Sequence, residues 1–373
     1  MAVEEFGKKL LMEVEEVGLD ELLNDLRLQQ AQSTPTIHFG LPQLDSLVQC
    51  MLETRNAHSK TTASPPIIEL MSSHASSGKT QLLYHLTALA VLPTYLRGRQ
   101  GAVLYFDLDR RFSVPRLAQQ IKRIVLAHSP EARRTATSST AIDKSSVQEV
   151  IEECLRHVQI YKPHTLAKTV STLNNLQSYL FKTSAHHSFD RAVAFIAIDS
   201  ASALYWQTRA EADEAALIAS TSKGAPPHNS IGYTHLAAAL RSASRTFSAP
   251  VIYTARDYNP PPKVSQQFSS AFGGFDAFSL RPSLPAPFNA QNSATLRLVI
   301  RKADIRKLPI EISVEDALRE EESRRKVVGL GRFECFVNEW GVEEKVLQKL
   351  RAKGAMFEVF ITAEGIKVGD GPE

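Results

Sequence analysis

The chain is 373 residues long, enough for one large or two ordinary domains with a sizeable core, and its 43% apolar and 22% charged residues exclude a low-complexity or disordered chain. The 43 Lys and Arg against 40 Asp and Glu leave a net charge of +3, too balanced to mark a nucleic-acid binder by charge alone. Only the distribution is uneven, because residues 1–30 hold eight acids and three bases.

That acidic piece carries two amphipathic helical patterns. Phe6, Leu10, Leu11, Val14 and Val17 recur at helical spacing, Gly18 interrupts, and Asp20 can cap a second short helix with Leu22, Leu23 and Leu26. Polar connections follow at 29–36 and 58–66, so residues 1–48 are expected to form an N-terminal helical segment and linker, and 49–373 the main body. From Ile67 onward strands and helices alternate. Strands are predicted at 67–71, 102–106, 159–161, 192–198 and 250–254, with helices at 80–92, from Pro115 toward His128, at 147–158, 165–181 and 233–247. Pro115 suits a first helical turn and Pro93 an end. This alternation predicts an α/β fold with a mostly parallel central sheet covered by helices on both faces. A Ser/Thr-rich stretch at 131–146 reads as a loop insertion. In the last third, 296–301, 333–337, 357–362 and 366–368 read as antiparallel strands extending the sheet.

Cys50, Cys154 and Cys335 lie far apart with no CxxC pair, which fits a reducing compartment and no zinc site. The longest apolar run, Ala192 to Ile198, is far short of the ~20 residues that cross a bilayer, so an intracellular protein with no membrane span is expected.

The strongest chemical signal is Ser73-His74-Ala75-Ser76-Ser77-Gly78-Lys79-Thr80, between the first predicted strand and the helix after it. It matches GxxxxGK[ST] except that Ser73 replaces the first glycine. In such a P-loop, backbone N–H groups and the helix N-terminus surround phosphates, Lys79 neutralises the terminal ones and Thr80 ligates Mg²⁺. A left-handed backbone at Ser73 would cost roughly 1–2 kcal/mol. The second signal is Phe195-Ile196-Ala197-Ile198-Asp199, an apolar strand ending in a carboxylate, as a water-mediated metal ligand at the C-terminal edge of a parallel sheet requires. A third is the pair Asp107 and Asp109 after strand 102–106, either of which could polarise an attacking water.

The order of these motifs resembles the RecA-type recombinase core. The wording of Leu83-Tyr84-His85-Leu86-Thr87-Ala88, Tyr105-Phe106-Asp107-Leu108-Asp109 and Asp199-Ser200-Ala201-Ser202-Ala203-Leu204-Tyr205-Trp206 is similar to that of the eukaryotic recombinase paralogues. The resemblance covers most of 67–368, with insertions near 131–146 and 302–355. It implies a RecA-like P-loop ATPase core and a nuclear mediator subunit in homologous-recombination repair of DNA double-strand breaks. It further implies a hetero-oligomeric complex with other paralogues beside the main recombinase filament, with single-stranded or branched DNA as a further contact. By that resemblance residues 73–80 bind ATP, Thr80 and Asp199 (through water) serve Mg²⁺, and Asp109 stands where active recombinases place a catalytic Glu. Departures follow. Asp109 is one methylene short, and Ala255-Arg256 replaces an Asn-Gln pair that senses the terminal phosphate and orders a DNA-binding loop. Hydrolysis is therefore expected to be weak or absent, with a DNA-stimulated ATPase as the alternative. The segments matching the family's two DNA-binding loops are about 207–232 and 257–290, the second carrying Phe268, Phe272, Phe275 and Phe278. The peptides Phe189-Asp190-Arg191-Ala192 and Phe360-Ile361-Thr362-Ala363 run into predicted strands, which argues against polymerisation through a linker Phe-x-x-Ala.

Overall fold

The computed structural model describes residues 38–56, 64–128, 141–221, 231–258, 279–303 and 313–369. The two N-terminal helical patterns, with Phe6, Leu10, Val14 and Val17, lie outside the described residues, as do Phe268, Phe272, Phe275 and Phe278.

Nine strands form one sheet: β1 (Ile67–Ser72), β2 (Ala102–Asp107), β3 (Val158–Tyr161), β4 (Val193–Asp199), β5 (Val251–Arg256), β6 (Leu296–Lys302), β7 (Arg332–Val337), β8 (Met356–Ile361) and β9 (Ile366–Val368). Their order is β3-β2-β4-β5-β1-β6-β7-β8-β9. Pairings from β3 to β6 are parallel and those from β6 to β9 antiparallel. The sheet is thus the α/β arrangement that the alternation of elements predicted.

Period-two alternation divides the core between the faces. On β2, Val103 and Tyr105 join one apolar cluster while Leu104 and Phe106 join the other, and on β4 Phe195 and Ala197 separate in the same way from Ile196 and Ile198. Helices Pro42–Asn56, Lys79–Val91, Val114–His128, Ala141–Arg156 and Glu344–Ala352 contribute to the first cluster, and Leu166–Leu180 and Tyr233–Thr246 to the second. Local chemistry starts and stops these helices. Thr165 accepts the Lys168 N–H at 3.2 Å, an N-cap for 166–180, and Pro93 follows the end of 79–91.

Arg297 on β6 lies opposite Glu69 on β1, and its Nε donates to Glu69 Oε2 at 2.7 Å in the buried centre of the sheet. The same guanidinium donates to the carbonyls of Phe288, Ala290 and Gln291, so the incoming chain before β6 is fastened to the strand it leads into. Burial pushes the Glu69 carboxyl up to about 7 against the opposing pull of Arg297.

Several expectations need correction. The compact unit holding the sheet begins at His38, not at 49, because Phe39, Leu41, Leu44, Leu47 and Val48 are buried in the first cluster. Each large apolar side chain so buried is worth about 1.5–3 kcal/mol, more than a polar linker upstream could oppose. Residues 131–146 are not wholly a loop. The helix begins at Ala141, since Ser and Thr composition is a weak prior that helix propagation overrides. The helix Tyr205–Thr221 occupies most of the segment 207–232 expected as a loop. Within 257–290, Leu280, Leu284 and Phe288 are buried, and Phe288 packs edge-on against Tyr253 and Tyr233. The expected insertion 302–355 holds a helix at Val314–Gly329, strand β7 and the helix Glu344–Ala352, and the last of these buries Val346, Leu347 and Leu350 in the core. Of the two Phe-x-x-Ala peptides, Phe360 lies within β8 and Phe189 stands exposed in the turn before β4. Among the described residues no helix is long and apolar enough to cross a membrane.

Candidate functional site

The C-terminal ends of β1, β2, β4 and β5 come together around a cavity of about 670 Å³. Residues Ala75 to Thr80 line it, with Asp109, Asp199 and Arg256. Ser73 and His74 do not line it. Both are exposed, and Ser73 Oγ meets His74 Nδ1 at 2.8 Å.

The loop's curvature comes from residues other than the one suspected. Left-handed backbone falls at Ser76 (φ +57°) and Gly78 (φ +91°), not at Ser73. The Ser-for-Gly replacement at 73 therefore carries no left-handed cost, and Ser76 bears it instead. Gly78 is doubly constrained. A Cβ there would stand 2.6 Å from Ile361 Cδ1, so the C-terminal strand β8 presses directly on the loop.

Lys79 opens its helix and turns its ammonium back over the loop, donating to Ser72 Oγ and, at 3.3 Å, to Ser77 Oγ. Both hydroxyls in turn donate to the carbonyl of His74, at 2.8 and 3.1 Å, which leaves their lone pairs for the lysine. Burial pulls the Lys79 ammonium down to about 8. Asp199 and Asp109 oppose that shift and Arg256 reinforces it. A half-solvated cation held by neutral hydroxyls lacks a close anion.

Asp199 ends β4 and is 3% exposed. Tyr105 donates its hydroxyl to Asp199 Oδ2 at 2.9 Å and Thr254 to Oδ1 at 2.6 Å, so neighbouring strands on both sides fix the carboxylate's orientation. The carboxylates after β2 separate by role. Asp107 spends its oxygens on the N–H groups of Arg111 and Phe112, at 3.0 and 3.1 Å, and shapes the turn. Asp109 is the one that reaches the cavity, with Oδ1 buried and without a hydrogen-bond partner and Oδ2 3.7 Å from Arg111 Nε. Burial, then the charges of Asp199 and Asp107, push its carboxyl up to about 6. Tyr84, Tyr105 and Phe112 buttress this turn, with ring centroids 4.6–6.5 Å apart, and Tyr84 accepts the Ser113 N–H at 2.8 Å.

Sequence reasoning had marked Lys79, Thr80, Asp199 and Asp109, and all four line this one cavity. It missed Tyr105 and Thr254 as the groups that aim Asp199, and Arg116 as the clamp on the β8–β9 turn. Arg116 donates to the carbonyls of Thr362 and Ala363 at 2.7 and 2.8 Å and to Gln81 Oε1 at 2.9 Å. No local pattern signals such partners, because each bond joins segments far apart in the chain.

The cavity fits a magnesium nucleotide on its own chemistry. A half-buried ammonium without a close anion and an unpartnered carboxylate oxygen are the two groups that phosphate and an activated water would satisfy. Among the described residues no group of three or more His, Cys, Asp and Glu could hold a metal ion. A divalent ion here would rely on Thr80, on Asp199 through water and on the phosphates themselves.

No family model matches the chain. It is similar to the DNA repair protein XRCC2 of Mus musculus, 29% identical over 138 residues, which is 37% of this chain and 41% of that protein. The match therefore spans less than half the length of that relative. The mostly parallel sheet with antiparallel C-terminal strands is consistent with a RecA-like core.

Proposed function

We propose that the chain is a RecA-type recombinase paralogue that binds ATP and Mg²⁺ at this cavity. In this reading it serves as a nuclear mediator subunit in homologous-recombination repair of DNA double-strand breaks. It would work in a hetero-oligomeric complex with other paralogues, beside the main recombinase filament, with single-stranded or branched DNA as a further contact. The observation that carries the nucleotide reading is the convergence of Lys79, Thr80, Asp199 and Asp109 on one cavity at the sheet's C-terminal edge. The likeness to a DNA repair protein supports the biological setting.

In this reading Mg²⁺, when bound, offsets charge building on the phosphate oxygens. Residues 75–78 offer backbone N–H groups, Lys79 exchanges its serine contacts for phosphate oxygens, and Thr80 supplies a hydroxyl to the ion. Tyr105 and Thr254 hold Asp199 toward the ion's water shell. Among the described residues lining the cavity, Asp109, ionised above pH 6, is the candidate base. It is a methylene shorter than a Glu and held back toward Arg111, so a water at the terminal phosphate lies beyond its best reach and turnover is weak or absent. The unpartnered Asp109 Oδ1 favours the second reading, a DNA-stimulated ATPase.

Steady-state phosphate release with and without single-stranded DNA separates the two. The first reading expects release indistinguishable from that of Lys79→Ala in both conditions. DNA-stimulated release that Lys79→Ala abolishes would establish the second. Light scattering that shows ATP-dependent filaments of the isolated chain on DNA would overturn the mediator role.

A further inference from the structure

The helix Val314–Gly329 stands in the chain between β6 and β7, and of its side chains whose burial is described all but that of Arg324 are exposed. Its own bonds support it. Ser313 caps it by accepting the Asp316 N–H at 3.1 Å, and ion pairs one turn apart join Glu320 to Arg324 at 3.3 Å, Glu321 to Arg325 at 2.7 Å and Glu322 to Lys326 at 3.0 Å. A helix standing in water on such pairs has no use for apolar side chains on its surface. Yet Val314 is 77% exposed, Leu318 62% and Val328 45%.

These residues are not scattered. Val314, Leu318, Glu321, Arg325 and Val328 follow one another at intervals of four, three, four and three, so they form one stripe along the helix. That spacing is the seam of a two-helix coiled coil. Val327, also exposed, lies off the stripe, about 100° around the axis from Val328.

The order of residues along the stripe selects what covers it. A second copy of the helix laid antiparallel, with Leu318 opposite Val328 of the other copy, brings Glu321 opposite Arg325. The two-fold axis repeats both contacts in reverse, so the layers run Leu–Val, Glu–Arg, Arg–Glu and Val–Leu. Beside the seam the same register sets Glu322 near Arg324 of the other copy. A parallel arrangement would instead oppose Glu321 to Glu321 and Arg325 to Arg325, which like charge disfavours.

We propose that this stripe is a self-docking surface, through which two copies of the chain pair by antiparallel helices 314–329. The Glu321–Arg325 pair within each helix becomes half of a network of four charges. A two-fold contact closes on itself, so it makes a dimer and not a filament, and it does not depend on the nucleotide reading of the cavity. The seam is short, which makes the pair weak, with a dissociation constant on the order of 10–100 µM.

Sedimentation equilibrium of the full chain, over concentrations that bracket this value, tests the proposal. Wild type is expected to pass from monomer to dimer with no larger species. Glu321→Arg and Arg325→Glu each oppose like charges in both central layers and should weaken pairing at least about tenfold. An equimolar mixture of the two variants restores opposite charges in both layers and should pair within about threefold of wild type, which separates a lost contact from a lost helix. Val327→Asp, off the stripe, should leave pairing unchanged. Register is read by cross-linking. Under mild oxidation Leu318→Cys mixed with Val328→Cys should form a disulfide-linked dimer, whereas Leu318→Cys alone should not, the native Cys50, Cys154 and Cys335 being buried. Wild type that stays monomeric, charge reversals without effect, a mixture that fails to recover pairing, or Leu318→Cys linking to itself would each overturn the proposal.

Discussion

Replacing Asp109 by Asn should stabilise the protein, and the size and pH dependence of the gain follow from where the carboxyl sits. Its folded-state pKa is raised to about 6 from an ordinary 3.8 by burial and by the nearby Asp199 and Asp107. A raised carboxyl pKa means the folded state holds the proton more tightly, so stability falls as pH rises from about 4 to 6 and the loss is complete above 6. Two units correspond to nearly 3 kcal/mol. With the side chain 28% exposed, solvent screening reduces this to about 1–2 kcal/mol. The neutral amide escapes that penalty. Urea unfolding at pH 4, 5, 6 and 7.5 should show Asp109→Asn level with wild type at pH 4, and more stable by about 1–2 kcal/mol at pH 7.5. A variant that is less stable at pH 7.5, or a gain independent of pH, would refute a strained carboxylate facing the cavity.

Gly78→Ala combines a left-handed backbone with a Cβ 2.6 Å from Ile361 Cδ1, and should cost about 1–3 kcal/mol in thermal or urea unfolding. Adding Ile361→Ala should remove the steric share of that cost and leave the backbone share. Arg297→Met strips the partner from buried Glu69 and should destabilise by about 3–5 kcal/mol, with Glu69→Leu in the same chain recovering much of it. Asp109→Glu adds the missing reach and should raise phosphate release. Unchanged release would shift the block to Arg256 or to an absent partner. Thr254→Val removes a 2.6 Å bond to Asp199 and should weaken Mg²⁺-dependent nucleotide binding several-fold while Mg²⁺-free binding stays level.

Strand and helix placement was legible because the sheet is mostly parallel. Strands buried on both faces, such as Phe195 to Ile198, are continuous apolar runs with sharp ends, and the helices between them carry clear periodicity. The site was legible where chemistry is local. Gly78-Lys79-Thr80 and the carboxylate closing β4 are contiguous words in the sequence. What stayed hidden is held by distance. The helix 42–56 has apolar residues at core spacing, yet the acidic stretch before it drew the boundary seven residues into that helix. Ser73 looked strained because it fills a glycine position, whereas the backbone turns left-handed at Ser76 and Gly78. Their residues alone made Asp107 and Asp109 equivalent candidates and only the resemblance favoured Asp109, whereas in the structure the N–H groups of Arg111 and Phe112 claim Asp107 and leave Asp109 for the cavity. The helix 205–221 lacks a clear amphipathic stripe, so nothing in its residues distinguished it from a loop.

The central claim is a nucleotide site built around Lys79, and equilibrium titration of magnesium ATP into wild type and Lys79→Ala tests it most directly. The lysine is the cation bonded into the loop, and its removal deletes a charge-assisted contact worth about 1.5–3 kcal/mol. The account predicts a loss of affinity of about tenfold to a hundredfold with the fold intact by circular dichroism. Equal affinity in the two proteins would contradict it.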